Sequence, residues 1–286
     1  MAGQDLYRIR DFVPAFEAIV AETAARSRET TARHAVRADL AYGEGPREVL
    51  DLLLPPRLVA GAPLHMFVHG GYWRSGEKAD YRCVAEPVLA VGGIAAIVEY
   101  DLMPDARLDV LVGQVRRAAR WLAAQAPGLG ADSRRLSASG HSAGAHLASF
   151  LAASGPLDAM APPFLVSGLL LLSGIYDLSG IPSSFLKEEA RMRPDEAADW
   201  SPVTASQAAG LLRVIAVGAE ETDPFLDQAA RLHRLLEDGG LSSEHRVEPG
   251  LNHMDVVLDL ADPERPLGER LAAMIEDPHP SRPHQA

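Results

Sequence analysis

Short apolar runs rich in β-branched residues alternate along the chain with segments in which apolar residues recur at helical spacing. Strands buried in a parallel sheet read as continuous apolar runs, and the helices that cover such a sheet carry one apolar stripe. The alternation therefore predicts an α/β fold with a mostly parallel central sheet flanked by helices. The predicted strands are 36–41, 48–54, 64–69, 94–100, 135–140, 168–173, 212–218 and 244–248. The predicted helices are 107–126, 143–153, 224–238 and 264–275.

Two segments fall outside this alternation. An amphipathic stretch lies near 13–31, and the turn-rich segment 179–207 contains several prolines and a tryptophan. A chain of 286 residues can form one α/β domain. We therefore expect a single domain in which 1–35 and 179–207 form a cap over the functional site and 277–286 is a flexible tail.

Composition and charge narrow the classes of function. The formal net charge of -12 disfavours nucleic acid as a partner, and the lone Cys83 excludes a disulfide framework and a multi-cysteine zinc site. No apolar run approaches the roughly 20 residues that cross a bilayer, so no membrane association is expected. The charged start "MAGQDLYRIRDF" lacks the apolar core of a secretory signal, which predicts a cytoplasmic protein.

The strongest chemical signal is the stretch "LSASGHSAGAHLASFLA". Its residues Gly140 to Gly144 match the pattern G-x-S-x-G at the point where a predicted strand is followed by a predicted helix. A sharp strand-to-helix turn needs small neighbours, exposes the serine hydroxyl and places it at a helix N-terminus. Ser142 is therefore the candidate nucleophile. The alternative is that Ser142 only caps the helix.

A serine hydroxyl becomes a good nucleophile when a histidine takes its proton. In this type of architecture the acid and then the histidine follow the serine along the chain. Among the later histidines, His253 in "VEPGLNHMDVV" lies in a loop after the last predicted strand, from which it can reach over the carboxyl edge of the sheet. His253 is thus the candidate base, and the alternative is an ordinary surface histidine.

The candidate acids follow the strand at 212–218. Asp223 precedes a proline at the start of a helical pattern, which predicts a capping role. Glu220 and Glu221 remain, and spacing within a loop does not separate them. The alternative for either glutamate is a solvated charge near a helix start.

The stretch "FVHGGYW" places two adjacent glycines after an early strand. Backbone N–H groups that approach a reacting carbonyl stabilise the negative charge on its oxygen, and glycine permits that approach. Gly70 and Gly71, together with Ala143 after the serine, are therefore candidate oxyanion donors. His69 is expected to brace this loop through a hydrogen bond to backbone. The alternative is a glycine turn beside packed aromatic rings.

Several stretches together resemble the kynurenine formamidase-like branch of the α/β-hydrolases, which neighbours the hormone-sensitive-lipase-type esterases. The resemblance covers roughly residues 40 to 260 and is carried by "HGGYW", "YDLMP", "GHSAGAHLA", "LSGIYDL", "VGAEETDPFLDQ" and "NHMDVV". It implies the α/β-hydrolase fold, Ser142 as nucleophile and His253 as base. It also implies that Glu221, rather than Glu220, is the acid.

Bulky side chains around these groups are candidates for contact with substrate. Tyr72 and Trp73 follow the glycine pair, so their rings are expected beside the carbonyl site, where they leave room for a short acyl group. His141 and Trp200 are further predicted substrate-binding residues. The N-terminal segment and the Trp200 region are expected to cover the leaving group, where an aromatic ring could stack.

Together these residues predict a serine hydrolase that acts through an acyl-enzyme on small carboxylic esters or aryl formamides. No metal or other cofactor is implied. The expected partner is a small-molecule ester or amide substrate, and a homodimer is a possible assembly. Two alternatives remain: an acyltransferase that uses the same residues, and a non-catalytic binding protein with the same fold.

Overall fold

Eight strands form one sheet in a computed structural model that describes residues 4–156, 158 and 166–277. The sheet order is β1-β2-β4-β3-β5-β6-β7-β8; β2 runs antiparallel to both neighbours, and the remaining pairs are parallel. The predicted mostly parallel sheet is thereby confirmed. The strands are β1 (Ala35–Ala41), β2 (Val49–Leu54), β3 (Ala62–Val68), β4 (Ile94–Val98), β5 (Ala131–His141), β6 (Gly168–Leu172), β7 (Leu212–Gly218) and β8 (Ser243–Glu248).

Helices cover both faces of the sheet, and successive strand residues contribute to two separate cores. In β6, Leu169 and Leu171 join one apolar cluster while Leu170 and Leu172 join the other, as the alternation of side chains along a strand requires. The α-helices are α1 (Phe16–Arg33), α2 (Glu86–Ala90), α3 (Leu108–Gln125), α4 (Ala143–Ser149), α5 (Lys187–Ala190), α6 (Pro194–Asp199), α7 (Asp223–Asp238), α8 (Asp255–Leu260) and α9 (Pro266–Glu276). Helices α3, α4 and α7 pack on one face, and α2, α8 and α9 pack on the other.

Short 3₁₀ helices complete the connections. They span Ile9–Asp11, Lys78–Ala85, Pro127–Leu129, Leu178–Ser183 and Pro202–Thr204. The segment 179–207 therefore contains α5, α6 and short 3₁₀ turns. The predicted helix 143–153 ends early, at Ser149, because the chain turns into 3₁₀-type hydrogen bonds there.

The amphipathic N-terminal stretch forms α1, which packs against the 3₁₀ helix Lys78–Ala85. Ser27 donates a hydrogen bond of 2.7 Å to the carbonyl of Asp80, and Thr30 donates one of 2.6 Å to Glu86. These bonds fix α1 against the segment that follows β3 in the chain. The predicted flexible tail lies, apart from Asp277, outside the described residues. Across the described ranges, every helix is too short or too polar to cross a bilayer.

Candidate active site

The ends of β3, β5, β7 and β8 bring the predicted residues to one edge of the sheet, as expected for parallel strands. A cavity of about 780 Å³ opens at this edge. Ser142, His253, Gly71, Tyr72 and His141 all contribute to its wall. The structure thus gathers groups that are far apart in the chain around one space of the size that holds a small molecule.

Ser142 lies at a sharp turn between β5 and α4. Its backbone angles are φ 55° and ψ -119°, a strained conformation for a residue with a side chain. The turn is tight because a Cβ atom on Gly144 would lie 2.1 Å from the carbonyl oxygen of Val68 and 2.4 Å from that of His69. Only glycine lets α4 begin directly against the end of β3. This packing holds the Ser142 side chain at the cavity wall.

His253 and Glu221 form a buried hydrogen-bonded pair, with 2.7 Å between Nδ1 and Oε2. The other carboxylate oxygen of Glu221 accepts hydrogen bonds from Ser173 Oγ at 2.5 Å and from the N–H of Gly218 at 2.8 Å. Because the carboxylate accepts from Nδ1, the proton of a neutral His253 lies on Nδ1 and Nε2 keeps its lone pair. Nε2 is buried and has no hydrogen-bond partner among the described residues.

The loop that carries His253 is ordered by its own side chains. Asn252 Oδ1 accepts hydrogen bonds from the N–H groups of Met254 and Asp255, at 2.9 and 3.1 Å. The ring of Phe225, on α7, packs against the imidazole of His253 with 4.4 Å between centroids. These contacts fix the orientation of the imidazole, as a general base requires.

The glycine loop after β3 runs close to Ser142. A Cβ atom on Gly70 would lie 3.2 Å from the Cβ of Ser142. Gly71 has a φ of 117°, and its carbonyl accepts hydrogen bonds of 3.1 Å from the N–H groups of Arg74 and Ser75. The predicted oxyanion residues Gly70, Gly71 and Ala143 are therefore grouped around Ser142.

His69 braces this loop, as predicted. Its Nδ1 donates to the carbonyl of Gly70 at 2.7 Å, and its Nε2 lies 2.9 Å from the carboxylate of Glu99. The hydroxyl of Tyr100 donates to the His69 carbonyl at 2.8 Å. His69 is completely buried and does not line the cavity.

Of the four predicted substrate-binding residues, Tyr72 and His141 line the cavity. The Tyr72 hydroxyl donates to the carbonyl of Tyr7, and its ring packs edge-on against Phe185 with 5.3 Å between centroids. His141 Nε2 donates to the carbonyl of His253 at 2.8 Å. Burial, together with the neighbouring His253, lowers the pKa of His141 to about 3, so this ring stays neutral.

The structure corrects the assignments of Trp73 and Trp200, neither of which is part of the cavity wall. Trp73 is completely buried, and its Nε1 donates to Nδ1 of His146 at 3.1 Å. His146 in turn donates from Nε2 to the carbonyl of Trp200 at 2.8 Å, and the Trp200 ring packs on Phe150. The two tryptophans therefore belong to the core beneath the site.

The predicted capping role of Asp223 is also wrong. Asp223 is the first residue of α7, and Thr222 occupies the cap position with φ -71° and ψ 152°. The Thr222 hydroxyl donates to the carbonyl of Leu6 rather than capping the helix. Glu220 is exposed, and its N–H donates to the carbonyl of Leu251.

Sequence reasoning missed Ser173, Tyr7 and Phe185. Ser173 lies within the stretch "LSGIYDL", directly after β6. A polar residue at the end of a predicted parallel strand is the feature of the sequence that could have indicated its place in the site. The hydroxyl of Tyr7 accepts a hydrogen bond of 3.0 Å from Gln228 Nε2, which ties the N-terminal segment to α7. That segment covers the cavity through Arg8, Ile9, Arg10, Asp11, Phe16, Val20 and Thr23.

Within the part of the chain that the structure describes, no group of three or more His, Cys, Asp or Glu side chains is placed to hold a metal ion. The two histidines that flank Ser142 most closely have protein partners. His141 binds the backbone of His253, and both ring nitrogens of His146 bind the two tryptophans.

Comparisons with known proteins agree with the fold. The BD-FAE family model matches residues 50–205. A kynurenine formamidase from Salmo salar is 31% identical over 243 residues, which are 82% of this chain and 80% of that protein. A crystal structure from Silicibacter sp. tm1040 is 27% identical, has a TM-score of 0.79 and aligns over 96% of this chain and 99% of its own. The carboxylesterase EstE1, from a metagenomic library, is 19% identical with a TM-score of 0.69 over 91% of this chain and 96% of its own, which shows the same fold. The chain therefore belongs to the BD-FAE family, in the kynurenine formamidase-like branch of the α/β-hydrolases.

Proposed function

We propose that the protein is a serine hydrolase that cleaves small carboxylic esters or aryl formamides, with Ser142, His253 and Glu221 as its catalytic triad. The observation that carries this proposal is the Glu221–His253 hydrogen bond of 2.7 Å, which leaves the lone pair of His253 Nε2 without a partner at the wall of the cavity that Ser142 also lines. Relatives named kynurenine formamidase and esterase support the same reaction class.

In the proposed reaction, Ser142 Oγ attacks the carbonyl carbon while its proton passes to His253 Nε2. Glu221 stabilises the imidazolium that forms. The carbonyl oxygen becomes an oxyanion and accepts hydrogen bonds from the N–H groups of Gly70, Gly71 and Ala143. When the intermediate collapses, the bond to the leaving group breaks, and His253 gives its proton to the departing alcohol or amine. Water, activated by His253, then releases the acid from Ser142.

The acyl group is proposed to be short, because the wall next to the glycine loop is rigid. Tyr72 is mostly buried, anchored through its hydroxyl to Tyr7 and packed on Phe185. A long chain would have to displace this ring, at a cost of about 1–3 kcal/mol. The leaving group would face the N-terminal segment, where Phe16 offers an apolar ring for stacking.

Active-site labelling tests the nucleophile. An organophosphorus probe should modify Ser142, and Ser142→Ala should fold normally while it loses several orders of magnitude in kcat. Labelling at another residue, or an active Ser142→Ala, would contradict the proposal. With an acceptor alcohol present, the acid should remain the main product, whereas a new ester would indicate an acyltransferase. A wild-type protein that neither reacts with the probe nor turns over any ester or formamide would be a binding protein.

A chain-length series tests the acyl pocket. We expect kcat/KM for aryl esters to fall at least about tenfold from acetyl to octanoyl, and Tyr72→Gly to flatten this profile. An aryl formamide should be hydrolysed at least slowly. Equal or rising rates up to octanoyl in the unmodified protein would show that Tyr72 does not limit the acyl group. The cytoplasmic location and the homodimer stay predictions.

A further inference from the structure

The ring of His69 lies between two oxygens that accept hydrogen bonds. Nδ1 is 2.7 Å from the carbonyl oxygen of Gly70, and Nε2 is 2.9 Å from Oε1 of Glu99. A carbonyl and an ionised carboxylate have no proton to donate. A neutral imidazole has one N–H, so it can satisfy only one of these oxygens. Both bonds exist together only when His69 carries a proton on each nitrogen.

A protonated Glu99 is not a workable alternative, because both of its carboxylate oxygens already accept hydrogen bonds. Oε1 accepts from the guanidinium of Arg47 at 2.5 Å, and Oε2 accepts from the N–H of Lys78 at 3.0 Å. Burial would raise the pKa of Glu99, but the bonds and charges of His69, Lys78 N–H and Arg47 outweigh it and lower that pKa. The ammonium of Lys78 itself is paired with other carboxylates. Arg47, Glu99 and a protonated His69 thus leave a net positive charge beside Gly70.

The surroundings of His69 suit a cation that water does not reach. The imidazole stacks on the ring of Tyr100, with 4.4 Å between centroids and 18° between planes, and on Tyr81 at 5.7 Å and 19°. Aromatic faces attract a cation electrostatically. The backbone of Gly76 covers the bond to Gly70, since a Cβ atom there would lie 2.6 Å from Nδ1 and 2.8 Å from the Gly70 oxygen.

We propose that His69 is a buried imidazolium that strengthens the oxyanion hole by polarising the Gly70–Gly71 peptide. This inference rests on the proposed function, in which the N–H of Gly71 binds the oxyanion. The Gly70 carbonyl and the Gly71 N–H belong to one peptide unit, so a charge-assisted bond to the carbonyl makes the N–H a stronger donor. His69 is thus a positioning residue that acts through the peptide and does not touch the substrate.

The protonation state is testable by nuclear magnetic resonance on the ¹⁵N-histidine-labelled wild-type protein. Both ring nitrogens of His69 should carry a proton in the folded protein at neutral pH, because each of them faces an oxygen that can only accept. The signal is assigned by its disappearance in His69→Asn and, should that variant not fold, by its shift in Glu99→Gln. A nitrogen without a proton at neutral pH would overturn the proposal.

The consequence for catalysis is testable with Glu99→Gln, which keeps the shape of the side chain and removes its charge. The second proton of His69 is then lost, so kcat should fall about tenfold, less than when an oxyanion donor is removed outright, while KM stays within about twofold. Affinity for an aryl trifluoromethyl ketone, which forms an oxyanion with the serine, should fall by the same factor. Wild-type kcat and inhibitor affinity in Glu99→Gln would contradict the proposal.

Tyr42→Phe is the matched control. The Tyr42 hydroxyl donates to the backbone carbonyl of Glu99 at 2.6 Å and does not contact His69. This variant perturbs the same buried network without changing the partners of the imidazole, so its kcat and inhibitor affinity should match the wild type. A loss as large as that in Glu99→Gln would assign the effect to general loosening of the network. Failure of the proposed function would appear separately, as a wild-type protein without hydrolysis, whereas the resonance experiment does not depend on turnover.

Discussion

Gly144→Ala should destabilise the protein although it places a better helix former in a helix. Gly144 is in the first turn of α4, where alanine would gain about 1 kcal/mol over glycine by propensity alone. The added Cβ, however, would lie 2.1 Å from the Val68 oxygen and 2.4 Å from the His69 oxygen. Both atoms are backbone, so neither can rotate away. The overpacking should cost about 3 kcal/mol, at the upper end of the usual range, which leaves a net loss of about 2 kcal/mol.

The same substitution should also lower activity, because the displaced atoms belong to the site. Relief of the clash must separate α4, which starts beside Ser142, from the end of β3, which leads into the glycine loop. A misplacement of about 1 Å between reacting groups can cost about 100-fold in rate. We therefore expect kcat/KM for an aryl acetate to fall by about two orders of magnitude.

Gly113→Ala is the matched control, since Gly113 lies within α3 and a Cβ there would meet nothing within 4 Å. This variant should gain about 0.5–1 kcal/mol and keep its activity. Urea unfolding followed by circular dichroism gives both free energies, and an ester assay gives both rates. A Gly144→Ala variant as stable and active as the wild type would contradict this prediction. So would free energies of unfolding that change in the same direction in both variants.

Two further predictions concern ionisable side chains. Glu221→Gln should lower kcat by about 10³–10⁴ with little loss of stability, whereas Glu220→Gln, at an exposed position, should change kcat only slightly. If kcat instead fell in Glu220→Gln and not in Glu221→Gln, the acid would be Glu220. The free energy of unfolding should decrease as the pH falls below about 6.5, because burial lowers the pKa of His65 and His141 to about 3 and that of His146 to about 4. Between these values and the unfolded pKa of about 6.5, the unfolded chain binds more protons, so each histidine should cost about 1 kcal/mol per pH unit. Urea titrations between about pH 7 and about pH 5 measure this loss, and unchanged stability over that range would contradict the prediction.

The strands could be predicted because each buried strand is a short apolar run bounded by polar or turn residues. β6 and β7 are buried at every position, and their sequences are almost entirely apolar. The helix at 143–153 was less predictable, because the residues after Ser149 remain apolar and buried although the α-helix has ended. A pattern of apolar residues predicts which residues are buried. It predicts where a helix ends only when a capping residue, a glycine or a proline marks that end.

The positions of the Ser142 turn, the glycine loop and His253 could be predicted because each has a local requirement. A strand-to-helix turn needs small residues, as at Gly144. His253 lies in the loop after the last strand, and such a loop starts at the carboxyl edge of the sheet, where Ser142 also lies. Ser173 carries no such local signal. Its role depends on the fold bringing β6 next to β7, where its hydroxyl meets Glu221.

Adjacency to Tyr72 in the sequence misled the interpretation of Trp73. Both residues have a left-handed backbone, with φ of 52° and 60°, so the chain bends sharply after the glycine pair. Tyr72 then faces the cavity, whereas Trp73 enters the core and donates its N–H to His146, on the helix that begins at Ser142. A buried indole N–H needs such an acceptor, and that requirement is visible only in three dimensions. The hydrogen bonds from Trp73 to His146 and from His146 to Trp200 link the glycine loop, α4 and the segment 179–207. These side chains therefore support the glycine loop and the Ser142 turn from the core, whereas Tyr72 packs at the cavity wall.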